Sequence, residues 1–94
     1  MPIQSFRHKG LRRLFEWDDR RKVPPEQADR LVKMMAAIDA AERIDECAAF
    51  PGWKLHALSG DLVGYWAKNV SGNWRLVFRF DDGDAFDLDL VDYH

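Results

Sequence analysis

The sequence has one cysteine, Cys47, among 94 residues. That excludes an internal disulfide and any zinc site built on paired thiols. Cys47 has no histidine close to it in sequence, so a buried thiol is expected there rather than a nucleophile or metal ligand. No apolar run approaches the ~18 residues that span a bilayer. The opening Met1-Pro2-Ile3-Gln4-Ser5-Phe6-Arg7 lacks the apolar stretch of a secretory signal. A cytoplasmic location with no membrane partner is the expectation. Positive charge is not in excess either: 14 Lys and Arg against 16 Asp and Glu leave a net charge of −2. There is no global pull toward nucleic acid, and any such binding must rest on a local patch. His-x-x-x-His pairs, glycine-rich phosphate loops and a Gly-x-Ser-x-Gly elbow are all missing. No metal and no cofactor are therefore expected.

What is present reads as one domain over residues 1–94, large enough for a single modest core. The clearest stretch is the C-terminal one. Trp74, Leu76, Phe78 and Phe80 alternate with Arg75, Val77 and Arg79, and after an acidic Gly-containing turn Phe86, Leu88 and Leu90 alternate with Asp87 and Asp89. Two such runs around a turn predict a β-hairpin. A two-residue turn at Asp82-Gly83 would set Phe78 opposite Asp87 and mix core with solvent. A three-residue loop, Asp82 to Asp84, instead sets Phe78 opposite Leu88, Leu76 opposite Leu90, Arg75 opposite Val91 and Arg79 opposite Asp87. The second register is the one expected, because a slip of one residue turns every side chain over.

Upstream, Ile3 to Phe6 alternates like a short strand. His8 to Trp17 carries Leu11, Leu14, Phe15 and Trp17 at helical spacing, with His8 as a capping or surface residue. Pro24-Pro25 suits a first turn, and the apolar set Ala28, Leu31, Val32, Met34, Met35, Ile38 and Ala41 predicts a second amphipathic helix from Pro25 to about Arg43. Residues Ile44 to Phe50 read as one further helical turn or as irregular chain. Strands are predicted over Trp53 to Leu58 and Gly64 to Val70, followed by the hairpin. The order β-α-α-β-β-β-β predicts an α+β fold, a small antiparallel sheet with two N-terminal helices on one face. Trp17, Trp53 and Trp66 are expected in the core.

The residues able to carry chemistry form a short set. His56 lies in a strand, Arg75 faces Val91 with Tyr93 one step further, and Asp92, Tyr93 and His94 close the chain. A neutral imidazole can take or give a proton near neutral pH. Arginine can hold a phosphate at two points and stabilise growing negative charge. These groups suit transesterification of RNA, in which the 2′-hydroxyl attacks the adjacent phosphate. A purely structural role for all five is the other reading. Lys54 and Arg79 are further phosphate-binding candidates. Arg7, Lys9, Arg12, Arg13, Arg20, Arg21 and Lys22 make the best remaining basic patch for ribosomal RNA, or else a solvated helix face.

Several blocks taken in order resemble one family. Ile3-Gln4-Ser5-Phe6-Arg7-His8-Lys9-Gly10-Leu11, Lys54-Leu55-His56-Ala57-Leu58-Ser59-Gly60-Asp61, Val70-Ser71-Gly72-Asn73-Trp74-Arg75-Leu76-Val77-Phe78, Gly83-Asp84-Ala85 and Asp92-Tyr93-His94 resemble the HigB toxins of the RelE/ParE superfamily. The resemblance runs from end to end and implies a RelE-like fold. It implies a bacterial toxin that enters the ribosomal A site and cuts mRNA there. It also implies a helix-turn-helix antitoxin of the HigA type as partner, with operator DNA met only through that antitoxin. Its catalytic groups fall on His56, Asp92, Tyr93 and His94, and its phosphate-binding arginine on Arg75. The chain departs from the family pattern at Ala57 and Ser59, where relatives often carry Pro and Lys. It departs again at Lys68-Asn69, where a basic residue has moved one place and should face the other side of the sheet. Those losses imply weak docking on the ribosome. Two other functions stay open: a ParE-like gyrase poison, and a weakly catalytic or non-catalytic module that chiefly binds its antitoxin.

Overall fold

The computed structural model describes residues 1–48 and 51–93. Helix α1 spans Lys9–Trp17, and His8 caps it: its Nδ1 accepts the backbone N–H of Leu11 at 3.1 Å. The helix ends at Asp18, whose left-handed backbone (φ 53°) lets the Asp18 and Asp19 N–H groups bond back to Leu14 and Arg13. Gly10 sits where the chain doubles back. A Cβ there would lie 2.3 Å from the carbonyl oxygen of Lys22. A single turn over Pro25–Gln27 leads into α2, Ala28–Ala40, which buries Ala28, Leu31, Met34, Met35 and Ile38. The helix stops short of Arg43 because Ala41 turns extended. This lets Ala41 and then Cys47, on the turn Ile44–Ala48, reach the core.

The sheet comprises β1 (His56–Ala57), β2 (Tyr65–Ser71), β3 (Trp74–Asp81) and β4 (Asp84–Asp92), antiparallel and in that order. The N-terminal segment runs alongside β4 in parallel, touching it at Ile3–Ala85 and Phe6–Leu88. One sheet face packs Val70, Leu76, Phe78, Leu88 and Leu90 against Leu11, Leu14, Leu31, Met34 and Ile38 of the helices, all buried. The α+β architecture expected from the sequence is therefore present, with both helices on one face.

The hairpin register differs from the expected one in an instructive way. The turn is the tight one, with Asp81 paired to Asp84 and both Asp82 (φ 48°) and Gly83 (φ 83°) in the left-handed region that a two-residue hairpin turn requires. The core is rescued by a β-bulge at Asp87, where φ is 58°. Arg79 pairs with Phe86, not Asp87; beyond the bulge Leu76 pairs with Leu90 and Arg75 with Val91, as expected. Phe86 consequently leaves the face of Leu88 and Leu90 and lies under the Arg79 guanidinium, 4.5 Å from it. Simple alternation missed this because Asp87 can hold a left-handed backbone with local help. Its N–H donates to the Ser5 hydroxyl (2.9 Å), and its carboxylate accepts from Ser5, Tyr65 and Arg79.

Two smaller expectations also change. The strand from Trp53 to Leu58 shrinks to His56–Ala57: Trp53 belongs to the turn Pro51–Trp53, and Lys54 takes a left-handed backbone (φ 46°). Trp17 is exposed rather than in the core, while Trp53 is buried. Lys68 does face the helix side, as its shifted position implied, and it is fully buried there. The expectation for Ile44 to Phe50 lies partly outside the described residues.

Candidate active site

The face of the sheet away from the helices carries three of the expected site residues. Pairing puts His56 beside Ala67, Ala67 beside Val77, and Val77 beside Asp89, in one row across all four strands. The next row on the same face is Asn69, Arg75 and Val91, and Tyr93 follows Val91 by two residues. His56, Arg75 and Tyr93 thus share one open face. Sheet spacing puts the α-carbons of His56 and Arg75 about 12 Å apart, two strands over and two residues along. That span leaves room for side chains to converge on one phosphodiester.

His56 is exposed, and its Nδ1 lies 2.8 Å from the carbonyl oxygen of Lys54. A carbonyl only accepts, so Nδ1 carries the hydrogen and the neutral ring keeps its lone pair on Nε2. The left-handed backbone at Lys54 turns that carbonyl onto the ring. Arg75 spends one nitrogen on the carbonyls of Gly72 (2.8 Å) and Trp74 (3.0 Å), which fixes the guanidinium over the Tyr93 ring at 5.9 Å. Among the described residues it makes no ion pair. The backbone N–H of Tyr93 donates to Asn73 at 2.8 Å and ties the end of β4 to the β2–β3 turn.

The other expected site residues divide. Asp92 pairs with Trp74, one step off the row of Arg75, so strand alternation turns it toward the helix-covered side, at the exposed end of β4. His94 lies outside the described residues. Lys54 is exposed next to His56. Arg79 is occupied: Asp87 and Asp81 stand 3.4 and 3.5 Å from its guanidinium. Of the proposed ribosome contacts, Arg12 pairs with Glu16, Arg13 and Arg21 with Asp19, and Arg20 with Asp18 and Asp29. The side-chain hydrogen bond from Arg21 holds the Asp19 carboxyl well below the usual carboxylate range. Among the described residues Arg7, Lys9 and Lys22 make no ion pair.

Sequence reasoning did not single out Tyr65, Asn69 or Asp89. The alternation that put Arg75 on the open face puts Tyr65 and Asn69 there too, once β2 is registered against β3. A cavity of about 110 Å³ opens on this face, floored by Val77 and Val91 and walled by Tyr65 and Tyr93. A larger one, about 320 Å³, lies between the N-terminal segment and α1, lined by Ile3, Phe6, Arg12 and Phe15 among others, away from these groups.

A family model described as the RelE-like toxin of the type II toxin–antitoxin system HigB matches residues 4–94. The chain belongs to the HigB-like toxins. It is 46% identical to "Endoribonuclease HigB" of Proteus vulgaris, over 98% of this chain and 99% of that protein. It is 29% identical to "Toxin HigB-1" of Vibrio cholerae over 92% of each. A solved structure titled "YoeB/ParE toxin from Agrobacterium tumefaciens" superposes with a TM-score of 0.50 at 17% identity, covering 100% of this chain and 99% of that one, a likeness of fold. Membership in a type II system implies an antitoxin as partner of this HigB-like toxin. None of its described helices is long and apolar enough to cross a membrane.

Proposed function

We propose that this HigB-like toxin is an endoribonuclease that cuts mRNA in the ribosomal A site by metal-free transesterification. The observation that carries the reading is the shared open face: an imidazole with its lone pair on Nε2, a fixed guanidinium beside a phenol, and room for one phosphodiester between them. The 46% identical relative bears the name of an endoribonuclease, which supports the same assignment. His56 Nε2 takes the proton of the 2′-hydroxyl as that oxygen bonds to phosphorus. Arg75 donates to the phosphate oxygens as their charge grows. The bond from phosphorus to the 5′-oxygen breaks, and that oxygen takes a proton from the Tyr93 hydroxyl or from His94; Asp92, turned to the other side of the sheet, gives none directly. The products are a 2′,3′-cyclic phosphate and a 5′-hydroxyl. Lys54, beside His56, adds positive charge for the RNA backbone. Arg79 contributes less, since two carboxylates already hold it.

The toxin works in the cytoplasm on the 70S ribosome, and Arg7, Lys9 and Lys22 are the cations best able to meet ribosomal RNA. A HigA-type helix-turn-helix antitoxin neutralises it and carries it to operator DNA. Primer extension on mRNA after brief induction tests the proposal, using wild type, His56→Ala and a form lacking His94. Discrete A-site cuts that weaken in both variants support it. Growth arrest with DNA breaks and no mRNA cuts would overturn it in favour of gyrase poisoning.

A further inference from the structure

The cavity beside the proposed cleavage site has a chemistry of its own. Its floor is apolar, made by Val77 and Val91, and its walls include Leu62 and the two phenol rings of Tyr65 and Tyr93. At about 110 Å³ it holds the equivalent of roughly four waters. That volume suits one planar ring. Flat aromatic walls of this kind stack nucleobases regardless of their identity.

Two carboxylates line the same cavity, and they differ. Asp87 is saturated by Ser5, Tyr65 and Arg79, so it serves as wall. Among the described residues Asp89 accepts only the N–H of Leu90, through Oδ1, at 2.9 Å. That bond orients the carboxylate and leaves Oδ2 without a partner among the described residues. A carboxylate oxygen beside a stacking slot accepts from an exocyclic amine and repels a carbonyl oxygen. Arg7 lines the cavity too and makes no ion pair among the described residues. It can donate to the O2 carbonyl that cytosine and uracil have in common, which adds affinity without choosing between them.

We infer that this cavity is a nucleobase subsite in which Asp89 selects a base carrying an exocyclic amine, cytosine over uracil. The inference rests on the RNA-cleavage reading for its biological meaning, but its binding test does not need cleavage. The two pyrimidines have the same ring and differ at the position Asp89 would meet. The contact is the one by which carboxylates read the cytosine N4 amine in nucleic-acid grooves.

The experiment uses the full chain and short RNAs made uncleavable by 2′-O-methyl substitution at every position. The RNAs contain one cytosine or one uracil within an otherwise abasic frame. Affinity is measured by titration, and the ring resonances of Tyr65 and Tyr93 are followed by NMR. The wild type should prefer the cytosine oligomer by roughly tenfold, with both tyrosine rings shifting. Asp89→Asn is isosteric and its amide can donate to the uracil O4, so the preference should fall to near one. Equal binding of the two oligomers by the wild type overturns the subsite, as does a preference that survives Asp89→Asn. If wild type prefers cytosine but cuts no RNA on the ribosome, the subsite stands and the nuclease reading fails.

Discussion

The guanidinium of Arg75, on β3, lies 5.9 Å from the centre of the ring of Tyr93, the residue that follows the adjacent antiparallel strand β4. The stack is held from both ends. Arg75 is bonded to the Gly72 and Trp74 carbonyls, and Tyr93 is bonded through its backbone to Asn73. In the proposed cleavage, a phosphate arriving on this face would meet a fork that needs little reorganisation. Arg75→Ala is expected to lower A-site cleavage by about a hundredfold or more. Arg75→Lys should recover little of it, because an ammonium keeps the charge but loses the fork and the stack. Cleavage rates on programmed ribosomes decide this; full recovery by lysine would mean that only charge matters at this position.

Asp87 is the pivot of the hairpin. Its left-handed backbone absorbs the extra residue, and its carboxylate gathers Ser5, Tyr65 and Arg79. Asp87→Ala removes charge-assisted bonds and puts a Cβ-bearing residue without local support at positive φ. A loss of about 2–3 kcal/mol in urea unfolding is expected. Asp87→Asn keeps the tolerance for the left-handed region and should lose less. If alanine were neutral, the bulge would owe its stability to the core on its far side alone.

Gly10 is needed for space rather than for an unusual φ. A methyl group there would meet the Lys22 carbonyl oxygen at 2.3 Å and a His8 ring carbon at 2.7 Å. The carbonyl belongs to backbone and cannot swing aside. Gly10→Ala should therefore destabilise by about 1–3 kcal/mol, against the usual gain that alanine brings inside a helix. Thermal or urea melts of the single variant check this, and an unchanged midpoint would show that the loop at Lys22 moves freely.

The pattern of these residues explains how far the sequence could be read. Helix periodicity placed Leu11, Leu14, Leu31, Met34, Met35 and Ile38 in the core, and all are buried. Period-two alternation put Arg75 opposite Val91 with Tyr93 on the same side, and the pairing of those strands agrees. It failed at Asp87 because alternation assumes an unbroken ladder, and one residue at positive φ reverses everything on its turn side. The expected register also set Arg79 opposite Asp87; the bulge moves the direct pairing to Phe86, yet the Asp87 carboxylate still reaches the guanidinium and, with Asp81, occupies it. Hydrophobicity alone sends Trp17 inward, whereas it lies exposed at the end of α1 under the Arg12 guanidinium, 5.8 Å away.

Lys68 is the least comfortable residue in the core. It is fully buried on the helix-covered face, and its Nζ has no hydrogen-bond partner among the described residues. Its ammonium lies 4.7 Å from the centre of the Trp53 ring, which offsets part of the desolvation. Burial, working against the weaker influence of Cys47, lowers its pKa from the ordinary 10.5. Between the folded and unfolded values the unfolded chain binds more protons, so stability rises with pH through that window. The handicap is fully present below the folded value. Lys68→Met keeps much of the side-chain length without an unpaired donor and should stabilise the fold by about 1–3 kcal/mol near neutral pH. The gap between variant and wild type should narrow as pH rises from neutral toward the ordinary lysine value of 10.5, the direction in which burial lowers the folded value; Cys47, common to both proteins, cancels in the comparison. Urea melts of both proteins across that range measure the gap. A methionine variant less stable than wild type would mean that the contact with Trp53 outweighs the cost of burying the ammonium, and a constant gap would mean that Lys68 keeps its proton throughout the range.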